Sequence, residues 1–144
     1  MKGITYGESI DMLLGTVVMA CRDLEKCEGA IRDIQETYDG RLVCMELDLS
    51  SFKSIDRFVR AFNERFWRLD GLVNNAAVAT VNSVTWDGLG LVMGVNHYGP
   101  VRLTVGLLPK LLESQVGFCF FFWSWVGENC VCFEWVTYEW TYSF

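Results

Sequence analysis

The strongest constraint on the fold of this chain is an alternation of short apolar strands with amphipathic helices between Thr16 and Asn74. A buried strand is predicted at Thr16–Ala20, because its residues are β-branched or apolar without a period. Further strands are predicted at Arg41–Leu49 and Leu69–Asn74. Strands joined through helices and short loops run parallel, with helices on both faces of the sheet. The chain is therefore predicted to be an α/β protein with a doubly wound, three-layer parallel sheet.

Apolar residues spaced three and four apart predict helices between these strands. Asp23 is placed to cap the first helix, and Ser50 and Ser51 are placed to cap the second. A third helix is predicted from about Thr85 to Glu113, with a kink where Pro100 removes a hydrogen bond. The apolar stripes are Leu24, Cys27, Ile31 and Ile34 in the first helix, and Phe52, Ile55, Val59, Phe62 and Phe66 in the second.

Composition narrows the classes of partner. The net charge of −6 argues against nucleic-acid binding, which requires basic patches. Lysine and arginine stop before Val116, and most aromatic residues follow it. We therefore expect a divergent segment at 1–15, a domain at 16–115 and a divergent aromatic tail at 116–144. No signal peptide or membrane-spanning segment is expected, since no apolar run approaches the roughly 20 residues a span needs.

The cysteines and the single histidine make a metal site unexpected, because no C-x-x-C occurs. We expect the six cysteines to be free thiols in a reducing compartment rather than a disulfide framework. Cys27 and Cys44 lie in apolar patterns and are predicted to be small core residues.

Polar residues follow the predicted strands at their carboxyl ends, the edge where open parallel sheets bind ligands. Arg22 follows the first strand, where its guanidinium could pair with the ribose 2′-phosphate of NADP(H); the alternative is a solvated loop arginine. Asp48, followed by Leu49, ends the second strand. Its carboxylate could accept from an adenine amino group or, together with Ser50, cap the next helix.

The third strand runs into Asn74, Asn75, Ala76 and Ala77, two carboxamides followed by two very small side chains. A packed core does not call for paired asparagines at a strand end. Small residues there keep the backbone open to a flat ligand, and the amides fix the turn. Together with Arg22 and Asp48, this turn predicts a dinucleotide site along one edge of a single sheet.

The segment from Thr16 to about Gln115 resembles the short-chain dehydrogenase/reductase family, and most closely its retinol dehydrogenase branch. The stretches that carry the resemblance are VVMACRD (17–23), LDLSSFKSI (47–55), FNERFWRLDGLVNNAA (62–77) and VNHYG (95–99). The resemblance implies a Rossmann fold and a nicotinamide cofactor, with Arg22 favouring NADP(H). The positions that match cofactor contacts are Arg22, Asp48, Leu49, Asn74, Ala76 and Ala77.

The resemblance also assigns a role to Asn96. It matches the active-site asparagine that interrupts a helix and orders a water in the family's proton relay. Without the resemblance, Asn96 and His97 would be polar helix residues. Ala77 departs from the pattern, since the family usually has glycine there, and its methyl narrows the approach of a cofactor.

Two family motifs are not found in these 144 residues. One is the glycine-rich loop TGxxxGxG, whose amides cradle a pyrophosphate. The other is the catalytic Tyr-x-x-x-Lys, since no tyrosine is followed four residues later by lysine. The chain is thus expected to be a partial Rossmann domain that lacks the first βα unit and the C-terminal part.

The missing first strand has a structural consequence. It would lie between the strands at Thr16 and Leu69, so another segment must replace it or the sheet must split. A strand is predicted at Phe118–Trp123 from its β propensity. Ser124 and Gly127 then fit an S-x-x-G spacing, which makes Ser124 a candidate for the family's catalytic serine.

Three functions remain open from the sequence. The chain could be an NADP(H)-dependent oxidoreductase acting on a retinoid or another lipophilic carbonyl. It could be a non-catalytic module that pairs with a full-length relative, or with itself, through the 85–113 helix. It could also fail to fold stably, because unpaired strand edges and exposed aromatics favour aggregation. Family resemblance places it in the cytoplasm or at the endoplasmic reticulum.

Overall fold

In the computed structural model, the structure describes residues 15–37, 39–79, 82–114, 118–121, 123–124 and 131–132. The chain divides into two units, Met1–Asp48 and Leu49–Phe144, and each is described by itself.

The first unit is a parallel β–α–β motif. Strand β1 (Thr16–Cys21) pairs in parallel with β2 (Arg41–Glu46), in a register that runs from Thr16 opposite Arg41 to Cys21 opposite Glu46. Helix α1 (Leu24–Gln35) connects them. Asp23 is its N-cap, as predicted, and the carboxylate accepts a hydrogen bond from the backbone N of Lys26 at 3.1 Å.

A disulfide between Cys27 and Cys44 joins α1 to β2, with the two Cα atoms 6.1 Å apart. Cys27 is buried, as the apolar stripe predicted. The expectation that this pair would be free thiols is wrong, because the inward stripe of α1 brings Cys27 over the middle of β2. The apolar period of a helix predicts which of its residues are buried. It does not predict that two cysteines 17 residues apart in sequence lie close enough to form a disulfide. Cys21 and Cys119 are free thiols.

The second unit is built on two helices that pack together. Helix α2 covers Phe52–Arg65, and Ser51 is its N-cap, since its hydroxyl accepts from the backbone N of Ser54 at 3.3 Å. Of the two serines predicted to cap this helix, Ser51 is the N-cap. A helical rod follows the short strand β3 (Gly71–Asn74). The rod consists of α3 (Leu91–Met93), a π-helical turn (Gly94–Tyr98) and α4 (Gly99–Leu112).

The core of this unit lies between α2 and α4. Ile55 and Leu107 are its most deeply buried side chains. The two helices approach closely at Gly106, where an added Cβ would lie 2.8 Å from Cγ2 of Val59. The other buried apolar residues of the unit are Phe58, Phe62, Val95, Leu103 and Leu111.

The third helix begins at Leu91 rather than near Thr85, which corrects its predicted start. Thr85 instead organises a turn, because its hydroxyl accepts from the backbone N atoms of Asp87 and Leu89 at 3.3 and 3.1 Å. Gly88 has φ of 79°, a left-handed conformation that glycine adopts without strain. These local hydrogen bonds compete with helix formation and hold the segment outside the rod.

The rod is interrupted before Pro100 rather than at it. Residues 94–98 form the π-helical turn, and Pro100 lies in the first turn of α4, where no backbone donor is needed. In place of the kink predicted at Pro100, the rod changes its helix type just before that residue.

The described strands form three two-stranded sheets instead of one continuous sheet. Strand β3 pairs in parallel with β4 (Phe118–Phe121), which confirms the strand predicted after Gln115. Strand β5 (Trp123–Ser124) pairs antiparallel with β6 (Val131–Cys132). The parallel pairs joined through helices confirm the α/β class. Whether another segment takes the place of the missing first strand stays a prediction, because residues 1–14 lie outside the described residues.

Within the described residues, no helix combines the length and apolarity required to cross a bilayer.

Candidate functional site

Two predicted site residues share an edge of the first unit. Arg22 follows β1 and Asp48 follows β2, and the parallel register places these two strand ends side by side. A backbone hydrogen bond from Leu47 N to Cys21 O, 2.8 Å long, continues the pairing beyond β2. Arg22 is exposed and Asp48 is half-buried. The edge thus offers a solvent-facing guanidinium at the place where the ribose phosphate was predicted.

Asp23, beside Arg22, is engaged by Lys26. Its carboxylate accepts from the Lys26 backbone N, and that hydrogen bond lowers the pKa of Asp23. The Lys26 ammonium lies 3.5 Å from the same carboxylate. Because the negative charge of Asp23 is compensated by the helix start and by Lys26, it opposes an approaching phosphate less than an isolated carboxylate would.

Asn74 is buried at the end of β3. Its Nδ2 donates to Oγ1 of Thr104 at 3.2 Å and lies 3.6 Å from Sγ of Cys119. Its Oδ1 is buried and has no hydrogen-bond partner within the described part of the chain. The side chain therefore fastens β3 to α4 and β4. The contact with a cofactor that the resemblance assigned to Asn74 stays a prediction.

Cys119 is the free thiol of this cluster. Burial raises its pKa, and the hydrogen bonds that Cys119 makes with Thr104 and Asn74 offset only part of that effect. At neutral pH it is a protonated, weakly nucleophilic thiol. It therefore acts as a packing and hydrogen-bonding group rather than as a nucleophile.

Asn96 holds the segment that follows the Asn–Asn–Ala–Ala turn. Its Oδ1 accepts from the backbone N of Val78 at 2.8 Å, and its Nδ2 donates to the Val78 carbonyl oxygen at 3.0 Å. Asn96 is buried in the π-helical turn. The helix interruption that the resemblance implied is therefore present, and both polar groups of the carboxamide are used within the fold.

Leu49 lies against the helix that carries Asn96. A Cβ added to Gly99 would lie 2.6 Å from the Leu49 carbonyl oxygen, so only glycine allows this approach. Since the Asn96 carboxamide fixes Val78, next to Ala77, the second unit brings Leu49, Ala77 and Asn96 to the same helical rod.

The predicted site residues thus fall into two groups. Arg22 and Asp48 share the strand edge of the first unit, and the remaining positions belong to the second unit. Ala76 and Ala77 are exposed there, so their surface is open to a ligand. Ser124 ends β5, and its side chain lies outside the described residues.

Sequence reasoning missed three partners in this region: Val78, Thr104 and Cys119. The bonds from Asn74 and Asn96 to them span between 18 and 45 residues, and no local pattern predicts them. The turn at Thr85 had a signal that could have been used, because Asp87-Gly88 is a turn-forming dipeptide. Among the described residues, no cluster of His, Cys, Asp and Glu could hold a metal ion.

Comparison with known proteins agrees with this architecture. Residues 12–139 match the family model for short chain dehydrogenases. The match passes residue 115 and enters the aromatic tail, where no resemblance to the family was expected. The chain belongs to the short-chain dehydrogenase family, and its curated relatives place it in the retinol dehydrogenase-like branch.

Two relatives indicate how far the similarity reaches. Retinol dehydrogenase 13 of Mus musculus is 47% identical over 102 residues, which cover 69% of this chain and 30% of the mouse protein. Retinol dehydrogenase 11 of Homo sapiens is 44% identical over 100 residues, covering 68% of this chain and 31% of the human protein. The chain thus spans about a third of the length of the curated relatives it matches.

Solved structures show the same fold. A metagenomic short-chain oxidoreductase in complex with NADP aligns with a TM-score of 0.66 at 26% identity. The alignment covers 81% of this chain and 54% of that one. The NADP complex of RhlG from Pseudomonas aeruginosa aligns with a TM-score of 0.56 at 32% identity, covering 68% of this chain and 39% of the other.

Proposed function

We propose that this chain is a non-catalytic short-chain dehydrogenase module, which pairs with another chain of its family through the outer face of α4. The observation that carries the proposal is an apolar stripe on the rod that remains exposed in the folded chain. The stripe consists of Tyr98, Val101, Val105, Leu108 and Leu112, and we call it the α4 stripe.

The spacing of the α4 stripe suits a second helix. Its residues follow one another at intervals of three and four, the spacing that lines one side of a helix with apolar groups for a partner helix. Val105 and Leu112 are 64% and 61% exposed, although they are aliphatic. An exposed apolar surface of this kind marks an interaction site more often than a solvated face. The occupant we propose is the corresponding helix of another family chain, which can be a second copy or an intact retinol dehydrogenase.

The residues that match the family's catalytic positions support a non-catalytic role for this chain. None of the tyrosines in these 144 residues is followed four positions later by lysine, so the acid–base pair of the family has no counterpart among them. Asn96 remains, and its carboxamide is bonded to Val78 on both sides. We infer that Asn96 now positions the strand-to-rod connection rather than a proton relay.

Light scattering on the full chain, alone and mixed with an intact retinol dehydrogenase, tests the pairing. The Val105→Lys variant should weaken association at least about 10-fold, because a buried lysine charge costs more than the valine contact gains. The matched control is Val84→Lys, since Val84 is 70% exposed and lies outside the rod. A wild-type chain that stays monomeric and takes no partner would contradict the proposal.

We also propose that the first unit retains affinity for the phosphorylated adenosine end of NADP(H). The support is the exposed guanidinium of Arg22 next to Asp48, on an edge of the type that binds nucleotides in open parallel sheets. Arg22 would hold the 2′-phosphate and Asp48 the adenine amino group. The cofactor, when bound, would supply a hydride.

Calorimetric titration with NADPH and NADH tests this affinity. NADPH should bind more tightly than NADH, and Arg22→Ala should remove the difference. Arg32→Ala is the matched control, because Arg32 is an exposed arginine of the same unit. Equal binding of both nucleotides, or no binding, would contradict the assignment.

The alternative function is an active reductase of retinoids or other lipophilic carbonyls. Incubation of the purified chain with NADPH and retinal, followed by absorbance, separates the two functions. We expect no turnover above the background without protein, and measurable turnover would favour the alternative. We place the chain in the cytoplasm or at the endoplasmic reticulum on the strength of the family, and cell fractionation tests this.

A further inference from the structure

The cysteine pair of the first unit plays no part in the proposed function. Cys27 comes from α1 and Cys44 from β2, and their Cα atoms are 6.1 Å apart, within the range of native disulfides. The cross-link therefore joins the helix of the β–α–β motif directly to the strand beneath it. The disulfide closes a short covalent loop that contains most of α1, the connection to β2 and the first residues of β2.

The surroundings of Cys27 suit the reduced state as well. Its Sγ lies 3.7 Å from the carbonyl oxygen of Met19, so a thiol at this position has an acceptor in place. Cys27 also occupies the apolar stripe of α1, where a protonated thiol packs as a small apolar group. Opening the cross-link therefore leaves no unpaired charge inside the unit.

The two cysteines differ in exposure. Cys27 is only 5% exposed, whereas Cys44 is half-buried. A small thiol or disulfide reagent from solvent therefore meets Cys44 first. Thiol–disulfide exchange then begins at Cys44 on β2, and Cys27 is the thiol that resolves the mixed disulfide.

We propose that Cys27 and Cys44 form a reversible redox clasp, which closes by exchange with a small-molecule disulfide such as oxidised glutathione. The Cys44 thiolate attacks one sulfur of the reagent, forms a mixed disulfide and releases one glutathione thiolate. The Cys27 thiol gives its proton to solvent, and its sulfur attacks Sγ of Cys44, which releases the second glutathione. Two protein thiols are oxidised and one small-molecule disulfide is reduced to two thiols.

The clasp sets the stability of the β–α–β motif according to the redox state of the surroundings. A cross-link that closes a loop of this size restricts the unfolded chain, so the closed form resists opening more than the reduced form does. In a reducing compartment the clasp is open and the motif depends on its strand pairing and its small core. Under oxidising conditions the same motif becomes locked.

The test uses the full chain equilibrated in glutathione buffers of increasing oxidised fraction, then alkylated and mapped by peptide mass spectrometry. The peptide that links Cys27 to Cys44 should grow with the oxidised fraction and disappear again in excess reduced glutathione. The thermal midpoint should rise by about 10 °C between the two extremes. Absence of the linked peptide, a link that no glutathione ratio opens, or an unchanged midpoint would each overturn the clasp.

Single variants test the order of exchange. In Cys27→Ala, Cys44 should keep a stable glutathione adduct, because its resolving thiol is gone. In Cys44→Ala, Cys27 should take up at least about 10-fold less adduct, since it is buried. Cys21→Ala should behave as wild type in the redox dependence of its thermal midpoint. Equal adduct formation at Cys27 and Cys44 would contradict the strand-side entry.

Discussion

The two units of this chain are each stabilised internally in a different way. Among its described residues, the first unit buries two apolar side chains, Cys27 and Leu47, and it has a disulfide between its helix and a strand. The second buries seven apolar side chains and, within the described residues, has no disulfide. The second unit is stabilised instead by the packing of Ile55 and Leu107 between its two helices.

The two units also differ in the function that we propose for each. The first unit has a small core and carries Arg22 and Asp48, the residues proposed to meet a nucleotide, at the end of its strands. A larger packed unit supports the rod and exposes the α4 stripe. The proposed nucleotide edge and the proposed pairing surface therefore belong to different units, for which we predict different stabilities.

The largest effect is expected from the core of the second unit. Leu107→Ala should cost about 2–5 kcal/mol of unfolding free energy, because Leu107 is 1% exposed and truncation leaves a cavity. Leu42→Ala, at a half-buried position in the first unit, should cost roughly half as much. Denaturant unfolding measures both. Equal losses at the two sites would break the contrast between the units.

The Asn96 fastening should have the next largest effect. Asn96→Ala removes both hydrogen bonds to Val78 and leaves its backbone groups without these partners, which should cost about 1–3 kcal/mol. The exposed Asn75→Ala is the control and should change stability by less than about 0.5 kcal/mol. Chemical unfolding of both variants checks this, and a neutral Asn96→Ala would show that the fastening is dispensable.

Glycine substitutions should have opposite signs in the two units. Gly106→Ala places a methyl 2.8 Å from Cγ2 of Val59 and should destabilise by about 1–3 kcal/mol. Gly29→Ala in α1 meets only the end of the Arg32 side chain at 3.9 Å, so it should stabilise by up to about 1 kcal/mol. Thermal melts would reveal the sign. If Val59→Ala did not relieve the Gly106→Ala defect, the close contact would not be its cause.

The smallest effect concerns a surface ion pair of the second unit. Arg102 donates to both Asp56 carboxylate oxygens at 2.8 Å, and these hydrogen bonds lower the pKa of Asp56 from its usual value of 3.8. A lowered pKa in the folded state contributes stability above the unfolded pKa. That contribution disappears as the pH falls through the folded value.

Asp56→Asn should therefore lower the thermal midpoint slightly at pH 7, and the difference from wild type should vanish in acid, below the folded pKa of Asp56. Melts of both proteins from neutral pH to about pH 2 measure it. Asp33→Asn is the control, because Asp33 is an exposed acid of the first unit. A difference that persisted at the acid end would mean that the charge of Asp56 is not its source.

Local sequence patterns predicted most elements of this fold. Strand residues around Val18 and Val43, the Asp23 cap and the apolar stripes of α1 and α2 all depend on neighbours within a few residues. The predicted start of the rod near Thr85 was wrong. The Thr85 hydroxyl accepts hydrogen bonds from its own turn, and these favour the turn over the helix that the apolar spacing predicted. The π-helical turn around Asn96 followed from the family resemblance and not from periodicity.

The remaining features of the site depend on contacts distant in sequence. Asn74 meets Cys119, Asn96 meets Val78, and Cys27 meets Cys44. Their side-chain types are compatible with many partners, and only the packing of helices on strands selects one.

Hydrogen–deuterium exchange on the full chain, with and without reductant, tests most directly the claim that a cross-link holds one unit and packing holds the other. Reduction should increase exchange of the backbone amides in Thr16–Glu46, and it should leave the amides from Ile55 to Leu111 protected. Loss of protection in both units together, or in neither, would contradict the account.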